Sequence, residues 1–296
     1  MSEYRRPMQP WPELAPFGRR VRLERLGQEV FLYLAGQPAA PPLLLIHGLG
    51  DEADTWRHVF ASLAERWQVA ALDLPGFGRS DASRAGYALP ALRDAVVAGL
   101  DALNWPTAAL LGHSLGAVIA QRVALDHPDR VTALTLVGGS LTTRAQSVSL
   151  PLLLMALPVA GALTYNSLRR DPQAAYESLR PFYADLNALP EADRQFLFQR
   201  VNERVWSDRQ RDAFLAILRS LVWGGGARQQ RQLEARLARL TTPTLAVWGE
   251  RDAINSVESG RALTQVQATA RLVVLSGAGH APHQEAPAAF LAAIQA

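Results

Sequence analysis

The feature that most constrains this chain is a five-residue turn, Gly112-His113-Ser114-Leu115-Gly116, set between an apolar run at residues 108–111 and a helix-like run at residues 117–125. That order predicts strand, sharp turn, helix. So tight a turn strains the backbone of its central residue and brings strand and helix so close that the flanking positions tolerate almost no side chain. Gly112 and Gly116 meet that demand. The hydroxyl of Ser114 is then lifted to the top of a sheet beside the first free N–H groups of a helix, where it is placed to act as a nucleophile.

Composition narrows what can assist it. The chain has no cysteine, which removes disulfides, thiolate metal sites and cysteine nucleophiles. All 30 basic residues are arginine, so Ser-Lys catalysis, Schiff bases and a P-loop lysine are excluded as well. Any base must be His, Asp or Glu. The net charge is +3, but the arginines are scattered among 27 acids rather than gathered in a stripe, which argues against nucleic acid as a partner. At 296 residues and 49% hydrophobic the chain can bury a full core.

Taken in order, residues 1–18 hold four prolines and no apolar signal segment, and are expected to form an extended, loosely held arm. The longest apolar stretch, residues 148–163, is broken by Pro151 and Pro158 and is too short for a membrane span. The expected location is therefore cytoplasmic. Residues 20–25 and 30–34 alternate as two edge strands. Continuous apolar runs at 43–46, 69–72, 108–111 and 131–137 predict strands buried on both faces, with helices at 55–66, 89–103 and 117–125 between them. After Gly138-Gly139 the alternation stops. Residues 140–240 contain helical segments punctuated by five prolines and by Gly224-Gly225-Gly226, and no convincing strand. Strand and helix alternation resumes at residues 244–248, 256–267, 272–275 and 288–294. The pattern specifies a mostly parallel α/β sheet, with 19–139 and 241–296 as its core and 140–240 as a helical cap over the edge where ligands bind.

A serine nucleophile needs a base within hydrogen-bond reach. His280 follows the last strand through the short loop Ser276-Gly277-Ala278-Gly279, which puts it on the same sheet edge as Ser114. His283 is the alternative. His113 is expected to pack, His47 to prop its loop by hydrogen bonding, and His58 and His127 to be ordinary helix residues. Asp252, just past the strand at 244–248, is the carboxylate best placed to orient the imidazole, with Glu250 as its competitor. The N–H groups of Leu49 and Leu115 are the candidate oxyanion donors. Asp51, Glu52 and Asp54 show no metal-ligand spacing and are read as turn or cap residues, and Gly76-Phe77-Gly78 lacks the third glycine of a dinucleotide loop. No metal and no cofactor are implied.

Five ordered motifs carry a resemblance: His47-Gly48-Leu49-Gly50, the run from Asp73 to Asp81, Gly112-His113-Ser114-Leu115-Gly116, Trp248-Gly249-Glu250-Arg251-Asp252, and Gly279-His280. Together they resemble the α/β-hydrolase family, in the branch with a helical cap. The likeness implies an eight-stranded, mostly parallel sheet flanked by helices. It implies Ser114 as nucleophile, Asp252 as orienting acid, His280 as base, Leu49 and Leu115 as oxyanion donors, and structural roles for Asp73 and Asp81. A serine at the turn argues against relatives that use aspartate there. Hydrolysis of esters of small to medium apolar acids is the leading expectation, with Leu150 to Leu157 supplying a hydrophobic acyl pocket. Carbon–carbon bond hydrolases of ring-fission products share the cap and triad but usually carry Asn where His113 stands. Thioesterase, lactonase and acyltransferase reactions use the same machinery, and a binding-only role uses none of it.

Overall fold

The structure, a computed structural model, describes residues 3–142, 150–223 and 227–295. The expected break at Gly224-Gly225-Gly226 lies outside the described residues. In chain order the elements are β1 (Gly18–Leu23), β2 (Gln28–Ala35), β3 (Pro42–Ile46), α1 (Phe60–Ala64), β4 (Gln68–Leu72), α2 (Leu89–Ala102), β5 (Ala108–His113), α3 (Leu115–Asp126) and β6 (Val131–Val137). There follow α4 (Leu150–Ala156), α5 (Pro158–Ser167), α6 (Pro172–Glu177), α7 (Glu191–Trp206), α8 (Asp208–Trp223) and α9 (Ala227–Leu237). The chain ends with β7 (Thr244–Gly249), α10 (Val257–Val266), β8 (Ala270–Leu275), α11 (Pro282–Glu285) and α12 (Pro287–Gln295).

The eight strands form one sheet in the order β1-β2-β4-β3-β5-β6-β7-β8. β2 runs antiparallel to both of its neighbours, β1 and β4; every pairing from β4 to β8 is parallel. The apolar runs explain why. Alternate residues of each central strand feed opposite layers: Leu44, Ile46, Leu110, Ala246 and Trp248 pack on one face with α2, α3 and α10. Leu43, Leu45, Leu111, Leu245 and Val247 pack on the other, with Trp56, Phe60 and Phe290. A strand buried on both faces has no polar side to offer water, so its sequence reads as a solid run.

Chain direction across the sheet reverses between β3 and β5. The chain steps outward from β3 to β4, then crosses back to β5 and proceeds the other way. Loops leaving adjacent strands on opposite sides of such a switch point part and leave a crevice. The loop after β3 carries Leu49 and the turn after β5 carries Ser114, so both sit at that crevice.

Two local expectations are corrected. Residues 55–66 do not make one helix: a 3-10 turn, Ala53–Trp56, is followed by a bend and then α1. His58 accordingly lies in that bend, and His127 just past the end of α3, rather than within helices. The cause is burial, since Ala53, Asp54 and Trp56 are wholly inaccessible. Thr55 also bonds His283 at 2.9 Å and Arg57 is buried, so the start of the expected helix has no solvent face to present. The second correction concerns the neighbouring acids. Glu52 stands at the N-cap position of the 3-10 turn and Asp54 within it, as expected of turn residues, but the Glu52 side chain makes no cap bond there and both carboxylates are buried ion-pair partners of helix α7 and the loop after β4. Arg204 reaches Glu52 at 2.8 Å and Asp51 at 2.6 Å, while Arg79 reaches Asp54 at 2.9 Å and Asp73 at 2.8 Å. Burial raises the Glu52 carboxyl, and the guanidinium groups of Arg204 and Arg200 outweigh it, holding the group below the usual carboxylate range.

Ahead of β1, residues 12–17 form a 3-10 turn with Leu14 buried, and the Trp11 N–H donates to Asp54 at 2.9 Å. Among the described residues no helix is long and apolar enough to cross a membrane.

Candidate active site

Ser114 occupies the turn between β5 and α3 at φ 52° and ψ −113°, a left-handed conformation that non-glycine residues seldom adopt. The two flanking glycines are required by contact. A Cβ on Gly112 would stand 2.3 Å from the carbonyl carbon of Gly116, and one on Gly116 would stand 2.1 Å from the carbonyl oxygen of Ile46. Both obstacles are backbone, which cannot rotate aside. Gly116→Ala is expected to destabilise the fold by more than about 3 kcal/mol, read as a lowered urea midpoint; a midpoint within error of the native one would refute the close approach of α3 to β3.

The residues singled out on the other strands arrive at the same edge. His280 is completely buried, its Nδ1 2.7 Å from Asp252 Oδ2. The other Asp252 oxygen, Oδ1, accepts the N–H groups of Ile254 at 2.9 Å and Asn255 at 2.8 Å, so the carboxylate cannot rotate away from the imidazole. Because Oδ2 accepts, Nδ1 carries the proton and the lone pair is left on Nε2, which has no hydrogen-bond partner. Such an imidazole can take a proton, and its carboxylate can stabilise the cation that results. Small residues bridge Ser114 and the pair: a Cβ on Gly139 would lie 2.4 Å from the Ser114 carbonyl oxygen, and one on Gly138 would lie 3.1 Å from His280 Nδ1.

Leu49 and Leu115 line one cavity with Ser114. Among the described residues neither backbone N–H donates to a protein acceptor. His47 sets the Leu49 group. Its Nε2 accepts the Leu74 N–H at 2.9 Å, so Nδ1 is protonated and donates to the Gly48 carbonyl at 2.7 Å. In a planar trans peptide the N–H of Leu49 points opposite to the Gly48 carbonyl, and fixing one fixes the other.

The alternatives are otherwise engaged. Glu250 is at the surface, accepting from Ser276 Oγ and the Gly277 N–H at 2.9 Å each. His283 Nε2 is bound to Thr55, whose hydroxyl also accepts from Gln284 at 2.7 Å. His113 is buried, with Nε2 donating to the His280 carbonyl at 2.9 Å and its ring 4.8 Å from that of His280. Burial first, then the neighbouring imidazoles, push both His113 and His283 well below the ordinary value of 6.5. The two stay neutral in the fold while the unfolded chain takes up protons, so folding stability is full above pH 6.5 and lost as pH falls below it. The expected slope is about 1.4 kcal/mol per pH unit for each histidine. Urea midpoints measured downward from neutral pH should follow it, and a flat profile would contradict the buried, neutral assignment.

The cavity encloses about 430 Å³. Its wall is mostly apolar, built from Leu115 and Val118 of α3 and from Phe182, Phe214 and Leu218 of the helical insertion. The lining also includes Arg57 and Arg204, each already matched by a carboxylate, Arg57 by Asp193 and Arg204 by Glu52 and Asp51. The expected acyl-pocket segment does not supply this wall. Among the described side chains Leu153 to Leu157 are absent from the lining, and Leu154 and Leu157 face solvent; the side chains of Leu150, Pro151 and Leu152 lie outside the described residues.

The family profile described as alpha/beta hydrolase fold matches residues 41–287. The chain belongs to the α/β-hydrolase family. It is a hydrolase whose relatives catalyse more than one reaction. It is 29% identical over 276 residues to a pimeloyl-[acyl-carrier protein] methyl ester esterase of Aeromonas hydrophila, covering 93% of this chain and 98% of that one. It is 30% identical over 253 residues to a 2-hydroxy-6-oxononadienedioate/2-hydroxy-6-oxononatrienedioate hydrolase of Pseudomonas putida, covering 81% and 82%. Among solved structures it superposes on a membrane phospholipase A described as a bacterial virulence factor, with TM-score 0.71, 26% identity, and coverage of 94% and 85%.

Two features of this α/β-hydrolase site escaped the sequence reading. Asn255 donates from Nδ2 to the Gly138 carbonyl at 2.7 Å, tying the loop after β7 to the loop after β6. Its signal was local, an Asp followed two and three residues later by the N–H groups it accepts, which is an Asx turn. Phe182, whose ring lies 5.8 Å from His280, comes from the insertion, where no motif marks it.

Proposed function

We propose that this hydrolase cleaves carboxylic esters of apolar acids through an acyl-enzyme on Ser114. The observation that carries the proposal is the buried Asp252–His280 pair, with its free Nε2, on the same sheet edge as a strained serine that opens into an apolar cavity. In the proposed reaction Ser114 Oγ attacks the ester carbonyl while His280 Nε2 takes its proton. The resulting oxyanion accepts from the Leu49 and Leu115 N–H groups. Collapse of the tetrahedral intermediate breaks the ester bond, and the alcohol departs with the proton from His280. Water then repeats the sequence on the acyl-serine, releasing the acid. Ser114 and His280 share no hydrogen bond in the free protein, and such bonds commonly tighten only with substrate.

The relative named for a dioate substrate favours a second reading, hydrolysis of a carbon–carbon bond in a dicarboxylic acid. The cavity weighs against it, because Arg57 and Arg204 are both already paired with acids of the chain. Initial rates on p-nitrophenyl esters from acetyl to palmitoyl test the proposal. Turnover rising from acetyl to hexanoyl or octanoyl is expected, about tenfold or more for several buried methylenes. An acetyl optimum would rule out the apolar acyl pocket, and no ester turnover beside cleavage of a vinylogous 1,5-diketone would move the assignment to the second reading.

A further inference from the structure

The insertion carries an unpartnered apolar face. Of the nine exposed large hydrophobic residues among the described residues, six are Leu154, Leu157, Val159, Leu163, Leu221 and Trp223, all on α4, α5, α8 or the link between α4 and α5. The three helices pack together. Helix α5 lies antiparallel to α8, since Tyr165 meets the ring of Phe214 at 5.5 Å and Asn166 meets Arg211 at 3.2 Å. The start of α5, with Val159 and Leu163, therefore lies toward the end of α8, with Leu221 and Trp223. These are not residues left half-covered by packing: Val159 is 77% exposed, Leu163 67% and Trp223 65%. A monomer seldom shows water an apolar area of this kind without a use for it.

Charge identifies the occupant. Residues 150–167 and 213–223, which carry the face, contain no Asp or Glu and one arginine, Arg219, although the whole chain has 27 acids. The acids of α8 are Asp208 and Asp212, in its first two turns, at the end away from Trp223. Arg228 and Arg231, just beyond α8, are exposed and have no carboxylate partner among the described residues. A second copy meeting this face symmetrically would set cation against cation. An acid-free apolar face with a tryptophan, followed in the chain by two exposed arginines on α9, matches the boundary of an anionic bilayer, whose acyl region takes the former and whose headgroups take the latter.

We propose that this face docks on the surface of an anionic phospholipid membrane. Docking also gives the cavity an entrance: Leu221 is 49% exposed and lines the cavity as well, so the membrane-facing patch runs to its mouth. An ester held in the bilayer would reach Ser114 without crossing water. This last step rests on the ester reading above; the docking does not.

Co-sedimentation with vesicles of phosphatidylcholine, alone or with phosphatidylglycerol as a third of the lipid, tests the proposal. The native protein should bind the anionic vesicles about tenfold or more tightly than the neutral ones. Val159→Ser, Leu163→Ser and Trp223→Ser combined should lose that binding with unchanged melting, since all three side chains stand in solvent. Arg228→Gln with Arg231→Gln should keep residual binding and lose the preference for the anionic lipid. Binding is read without turnover, so its failure leaves ester hydrolysis standing. Absence of native binding, equal binding to both vesicles, or a dimer that the serine substitutions dissociate would overturn the proposal.

Discussion

Ser114→Ala is expected to fold and melt like the native protein and to lose ester turnover by about 10⁵- to 10⁶-fold, because in the proposed reaction Ser114, His280 and Asp252 act as a unit. The substitution isolates the chemistry. Alanine retains the Cβ, so the backbone at φ 52° is no more strained than before, and the bond from the Ser114 N–H to the Val137 carbonyl at 2.8 Å is kept. Only Oγ is removed, from a wall of the cavity rather than from the core. Residual rates should come from the Leu49 and Leu115 donors and from binding alone. Two readouts decide: initial rate on the best p-nitrophenyl ester, and intact mass after a fluorophosphonate probe, which should label the native protein once and the variant not at all. Turnover within tenfold of native would remove Ser114 from the nucleophile role.

Asp252→Asn is the second large effect, and its direction follows from atoms already placed. Oδ1 of Asp252 accepts two backbone N–H groups, from Ile254 and Asn255. An asparagine keeps those bonds only by leaving its carbonyl there, which turns its amide toward His280. The amide donates to Nδ1, so the ring proton moves to Nε2, the atom that accepts the serine proton in the proposed reaction. A loss of about 10⁴-fold is expected, the size seen when an amide selects the wrong tautomer in an unrelated triad. Glu250→Gln is the control. Glu250 holds the Ser276-Gly277 turn at the surface, and its loss should alter turnover by no more than about twofold, the usual scale of an exposed polar contact. The reverse result, a mild Asp252→Asn and a severe Glu250→Gln, would exchange the two roles.

Legibility in the sequence tracked the range of the interaction. The central strands read as solid apolar runs because both of their faces are buried. The serine turn was visible because its requirement falls on immediate neighbours: a Cβ at Gly112 or Gly116 meets backbone at 2.3 or 2.1 Å. His280 and Asp252 were legible for a related reason, since in a parallel sheet every strand delivers its following loop to one edge. A position just after a strand is thus a position in the site.

Tertiary structure decided what depends on partners far along the chain. Glu52 read as a turn residue because the arginine that buries it, Arg204, stands more than a hundred residues later on α7. The helix expected at 55–66 gave way because its first polar residues are drawn into bonds with α7 and α11. The cavity wall comes from Phe182 and Phe214, whereas the most apolar segment of the insertion turns Leu154 and Leu157 outward. Hydropathy measures how much apolar surface a segment has, and only the packing of the helices determines which side of it meets the cavity. The sequence by itself therefore determined the sheet, the strained turn and the edge on which chemistry collects. Assembly of the insertion onto the sheet determined the shape and polarity of what can enter, because those are properties of contacts between segments and of no segment alone.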